Sequence, residues 1–182
     1  MKTVSRATVD DLYRVPENAK AELVGGELVP MSPTGTLPSA AGGAIFASLR
    51  QHQRSHGGGR AYADNTGFLV NLPRRRSLSP DAAFHRDTSL SMKFADGAPV
   101  FAAEVRSEGD YGPRAEEELA DKRADYFAAG TLVVWDVDLL GENVVRVYRA
   151  SSPEPTIYRR GQTAEAEPAV PGWRMAVDEL FE

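Results

Sequence analysis

The chain has no cysteine. That excludes a disulfide framework and a thiolate zinc site. It has no apolar run near the ~18 residues that a membrane span needs. It also lacks a glycine-rich phosphate loop, a nucleophile elbow and any zinc-ligand spacing. Positive charge is in deficit: 21 Lys and Arg stand against 26 Asp and Glu, a formal net charge of -5. Such a balance argues against a high-affinity general DNA binder. It leaves a nuclease open, because acidic metal ligands count toward that total and basic residues can cluster locally. The stretch from Met1 to Asp11 mixes charged and polar residues without the apolar segment of an export signal, so the expected location is cytoplasmic.

What is present is a core-forming composition, 42% hydrophobic over 182 residues, which fits one domain spanning residues 1–182. Thr8 is placed to cap a short helix that Pro16 ends. Lys20 to Val24, Gly25-Gly26 and Glu27 to Met31 read as an N-terminal hairpin. Pro38 opens a second helix, about 39–52, with Ile45, Phe46 and Leu49 inward; Gly57-Gly58-Gly59 terminates it. Arg60 to Leu72 carries a strand signal, densest at Phe68 to Leu72, and the spacing predicts a hairpin between it and a strand at Asp81 to His85. Val100 to Ser107 is the most apolar strand and is expected to be central. Pro113 opens a helix that Gly130 closes. Strands follow at Leu132 to Val137, Val144 to Tyr148 and near Thr156 to Arg159. The order implies an α/β fold with a mixed sheet flanked by helices.

Three side chains stand out. Strand alternation puts Val100, Ala102, Glu104 and Arg106 on one face. Glu104 lies near the C-terminal end of its strand, and Asp81 opens another strand just after Pro80. If those strands are neighbours, the two carboxylates meet, and hard oxygen ligands of this kind suit Mg²⁺ or Mn²⁺. Lys122 falls inside the apolar stripe of Ala115, Leu119 and Tyr126. A lysine there must snorkel or meet an acidic or phosphate partner. The plainer readings are a Glu104–Arg106 pair at a strand edge and a Glu118–Lys122 pair on an exposed helix.

At this point the motifs carry a resemblance. Glu22 within Ala21 to Leu28, then Met31-Ser-Pro33, is similar to the opening of the Uma-two family, restriction endonuclease-like bacterial proteins within the PD-(D/E)XK nuclease superfamily. Ser79-Pro80-Asp81 resembles the family's "PD" strand, and Glu104-Val-Arg-Ser107 its "EVxS" strand. Asp121-Lys122 with Tyr126, Val134 to Asp138, and Val170-Pro-Gly-Trp173 resemble its later segments. The resemblance implies a restriction endonuclease-like fold and a metal-dependent phosphodiesterase acting on DNA. It implies that Asp81 and Glu104 bind Mg²⁺ or Mn²⁺, with the backbone carbonyl of Val105 as a further ligand. Lys122 would replace the lysine that the superfamily keeps two residues after the glutamate, where this chain has Arg106, always protonated and no base. Arg106 is left to clamp a phosphate or pair with a carboxylate. Glu22 would support the metal or its water, and a homodimer is expected. The chain departs from the family pattern in having no histidine from Pro38 to Gly43 and Glu108 in place of a proline.

The remaining polar residues have simpler readings. A lone His85 is more often structural. His52 and His56 sit at a helix end, where solvent or the helix dipole suits them. Arg74-Arg-Arg76 reads as a solvated basic loop with DNA phosphates as the alternative partner. Trp135 and Trp173 read as packing residues. Three function classes stay open: a Mg²⁺-dependent DNA endonuclease, a catalytically degenerate nuclease-fold module for binding or assembly, and a hydrolase of another phosphodiester.

Overall fold

The computed structural model describes residues 6–16 and 20–182; the sequence reading of Met1 to Asp11 therefore lies partly outside the described residues. Helix α1 (Val9–Leu12) begins with a reciprocal capping box between Thr8 and Asp11. Strands β1 (Lys20–Val24) and β2 (Glu27–Met31) pair in register through a two-residue turn. Gly25 and Gly26 both adopt positive φ, 62° and 85°, the conformation that a tight hairpin turn of this kind requires. Helix α2 (Thr36–His56) starts earlier and ends later than the sequence suggests. The pair Gly42-Gly43 does not interrupt it, because Ala41, Ile45 and Leu49 bury one face completely and tertiary packing outweighs local propensity.

After α2 come β3 (Arg60–Ala63), β4 (Phe68–Leu69), β5 (Ser77–Leu78), β6 (Ala82–His85), β7 (Ala95–Asp96), β8 (Phe101–Val105), α3 (Pro113–Ala128), β9 (Val133–Val137) and β10 (Val145–Arg149). Strands β11 (Ser152–Tyr158), β12 (Thr163–Glu165) and β13 (Arg174–Ala176) precede a 3₁₀ turn at Val177–Phe181. The main sheet has the order β11-β10-β9-β8-β6-β3. Strands β8 and β9 run parallel and the other neighbours antiparallel. The parallel pair is possible because α3 makes the crossover.

One expectation is corrected here. The stretch at Arg60 to Leu72 is two strands, and only the first of them, β3, makes the expected antiparallel pairing with the strand at Asp81 to His85. Asn65, at φ 66°, bends the chain between them. Strand β3 pairs with β6, while β4 pairs with β5 and β7 in a separate small sheet. The near wall of β3 is tight: a Cβ on Gly59 would lie 2.5 Å from the His85 carbonyl oxygen.

Two apolar layers hold the sheet. On one face α2 packs with Phe84, Phe101, Ala103 and the stacked Trp135 and Trp173. On the other, Tyr126 of α3 packs on Ala83, Ala102 and Val134. Alternation therefore carries Glu104, two residues beyond Ala102, onto the α3 face. No helix among the described residues is long and apolar enough to cross a membrane.

Candidate active site

Strands β6 and β8 are neighbours. Asp81, one residue before β6, is fixed to β8 twice. Its amide donates to the Ala103 carbonyl at 3.0 Å, and its Oδ2 accepts from the Val105 amide at 2.7 Å. These two bonds flank Glu104, so the carboxylates of Asp81 and Glu104 face one cavity of about 1090 Å³. Gly42 of α2 closes the back of Asp81: a Cβ there would sit 3.5 Å from its Cβ.

Lys122 enters from α3. Its ammonium lies 2.8 Å from Glu104 Oε2 and 3.3 Å from Glu22 Oε1. Glu118, the alternative partner, instead accepts from Arg114. Tyr126, one turn further along α3 and fully buried, donates to Glu104 Oε1 at 2.5 Å. Both Glu104 oxygens are thus engaged from the same helix.

Glu22 arrives by a third route. Gly25 donates to the Arg74 carbonyl, Arg76 to the Leu23 carbonyl, and the Leu23 amide to Ser77 Oγ. These bonds dock the β1–β2 hairpin on the 74–77 segment. Glu22 Oε1 then accepts from the Ser79 amide at 2.9 Å. Its Oε2 accepts from Arg75, which also reaches Asp125 of α3 at 2.6 Å.

The structure gathers Glu22, Asp81, Glu104, Val105 and Lys122 at this cavity. It does not bring His85, His52 or His56 there. His85 is buried beside Phe68 and hydrogen-bonded to the Asp87 backbone, and His52 stacks on His56 at the end of α2. Arg106 lines the cavity but is consumed by carboxylates. It makes paired bonds to Asp136, each 2.7 Å, and further bonds to Glu116. Of its two expected roles it takes the carboxylate pair, with Asp136 and Glu116 and not Glu104.

Arg75 and Tyr126 are the residues that sequence reasoning undervalued. Arg75 is buried at 8% exposure, whereas its neighbours Arg74 and Arg76 are exposed; the solvated-loop reading holds for those two and fails for Arg75. Tyr126 was visible as part of the α3 stripe, one turn beyond Lys122, but its hydroxyl bond to Glu104 was not.

Charge decides the site's character. Burial, then the adjacent Glu104 charge, pushes the Asp81 carboxyl up to about 7, against the lowering effect of the Val105 amide. Burial alone would depress Lys122, but the Glu104 and Glu22 carboxylates outweigh it and hold the ammonium above its ordinary value. Lys122 is therefore a standing cation and not a base at neutral pH. Burial and the Glu104 charge raise the Tyr126 hydroxyl well above its ordinary range, so it donates.

Among the described residues no three His, Cys, Asp or Glu side chains are grouped as a ready metal cage. Two carboxylates are nevertheless a donor set that Mg²⁺ uses, since it keeps several waters and takes one or two carboxylates. Burial lifts Asp81 most, and the Glu104 charge that adds to it is what a divalent ion offsets. The residues present fit such an ion.

Comparison with known proteins agrees with this fold. The model of the Uma2 family, described as "Putative restriction endonuclease", matches residues 9–178. A solved structure described as a putative nuclease belonging to DUF820, from Anabaena variabilis ATCC 29413, superposes with a TM-score of 0.76. The two share 16% sequence identity, and the match covers 96% of this chain and 97% of that one. No curated protein matches the chain.

Proposed function

Since the chain belongs to the Uma2 family, we propose that this cavity is the active site of a Mg²⁺- or Mn²⁺-dependent endonuclease that hydrolyses phosphodiester bonds in DNA. The observation that carries the reading is the convergence of Asp81, Glu104 and Lys122 from β6, β8 and α3 on one cavity. Asp81 and Glu104 hold the ion, with the Val105 carbonyl as a further ligand. A bound divalent ion lowers the pKa of its water and offsets charge on a phosphate oxygen.

The chain's own groups do the rest. Glu104 Oε2 now accepts from Lys122, so ion and ammonium compete for it. With Asp81 and Glu104 holding an ion, the Lys122 ammonium would be available to the phosphate or the attacking water. As a cation, Lys122 would orient the attacking group and stabilise negative charge. Glu22, held by Arg75 and the Ser79 amide, keeps Lys122 from swinging out. Tyr126 fixes the Glu104 carboxylate. A homodimer with two symmetry-related sites is part of the proposal, since C2 pairing is the commonest assembly.

The test is cleavage of plasmid and oligonucleotide DNA in Mg²⁺, Mn²⁺ and EDTA. Wild type should cut in either metal and not in EDTA. Asp81→Asn and Glu104→Gln should be inactive. Bound metal with no cleavage of any substrate would instead favour a degenerate module.

A further inference from the structure

The cavity is not a basic cleft. Its lining carries six Lys or Arg side chains and eight Asp or Glu. Of the six cations, Lys20, Arg75, Arg106, Arg114 and Lys122 already pair with carboxylates. A continuous duplex binds chiefly by setting many cations against its phosphates, and this lining offers no such row.

It offers apolar walls instead. In the β1–β2 register Lys20 faces Met31, Glu22 faces Val29 and Val24 faces Glu27. Directly opposed residues share a face, so Val29 and Met31 project on the same side as Glu22. Val29 is 45% exposed although it is apolar and lines the cavity. Ala115 and Leu119 of α3 line the same space, half-buried, two turns and one turn before Lys122. Thr34 Oγ1 lies 2.7 Å from Ser107 Oγ, and these two and Asn65 also line the cavity. Apolar walls thus share the cavity with the carboxylate–lysine centre, and hydroxyl and amide groups line it as well.

We propose that the slot between Val29 and Met31 of β2 and Leu119 of α3 binds an unpaired nucleobase next to the phosphate at the carboxylate centre, so that single-stranded or unstacked nucleic acid is the preferred substrate. This rests on the nuclease reading. A base removed from its stack is a flat apolar plate with a polar edge, and proteins hold such bases between apolar or aromatic side chains. Only one or two phosphates then need to enter a cavity whose lining is net acidic. The metal at the centre and Lys122 meet that charge.

Binding tests this apart from cleavage. Full-length protein is titrated by fluorescence anisotropy in Ca²⁺, a hard cation for the oxygen ligands, with four 12-mers: single-stranded DNA, single-stranded RNA, blunt DNA duplex, and a fully abasic sugar-phosphate strand. At least one base-bearing single strand should bind about tenfold or more tighter than both the duplex and the abasic strand, the scale of one or two base contacts. The DNA and RNA arms identify the sugar preferred. Val29→Ser, at an exposed position that should not disturb folding, should narrow the gap to the abasic strand severalfold. Duplex binding equal to or tighter than both single strands overturns the inference, as does an abasic strand that binds as well. Either result leaves the nuclease reading intact, which the cleavage assay decides separately.

Discussion

At the scale of single residues, Asp81 and Lys122 carry opposite charge penalties, and each gives a measurable consequence. The folded-state pKa of Asp81 is raised to about 7 from 3.8, so between those values the native state holds a proton that the unfolded chain has lost. Its contribution to stability is complete below about pH 4 and is lost as pH rises to about 7. Metal-free melting temperatures should therefore carry a falling component over that window, and Asp81→Asn should remove it. A wild-type and an Asp81→Asn profile with the same slope would refute the assignment. Lys122→Met keeps the aliphatic stem and removes the cation. Cleavage should fall by roughly 10²–10³-fold, the usual cost of removing one group that stabilises transition-state charge. The same change leaves Glu104, Glu22 and Asp81 repelling one another, so Mg²⁺ should raise the melting temperature of the variant more than that of wild type. A smaller shift in the variant would mean that Lys122 does not compete for the ion's ligand.

Elements explain how far the site was legible. Glu104 and Lys122 could be placed from period 2 in β8 and period 3.6 in α3, because each periodicity fixes a side chain against its own backbone. Asp81 was placed by Pro80 and the strand after it. Arg75 could not be found this way. Nothing local distinguishes it from Arg74 and Arg76; only the docking of the hairpin on 74–77 and the approach of Asp125 bury it. The split of the 60–72 stretch has the same origin, since β3 keeps its expected partner while Phe68-Leu69 pairs with β5, which the stretch itself does not announce. Arg75 also yields a test at this scale. Arg75→Met removes from Glu22, 5% exposed, the cation on its Oε2 and leaves only the Ser79 amide and Lys122 on its Oε1. Breaking such a buried pair costs about 3–5 kcal/mol, and denaturant unfolding should show a loss of that order. Adding Glu22→Gln should restore part of it, whereas additive losses would mean that the pair is not coupled.

For the whole molecule, the six-stranded sheet does one mechanical task. It brings β6 and β8 side by side at the sheet's heart, and α3, the crossover between β8 and β9, lays Lys122 and Tyr126 over them. The hairpin closes the third side. Light scattering at working concentration should give twice the chain mass; a monomer mass would refute the homodimer. The account depends most on the carboxylate pair being a cation site. The direct measurement is thermal unfolding of wild type and Asp81→Ala with and without Mg²⁺ or Mn²⁺. An ion that binds only the native state stabilises it by about 2.7 kcal/mol at a hundred times its Kd. The melting temperature of wild type should rise with metal, and that of Asp81→Ala should not move. Equal shifts in the two proteins would contradict the account.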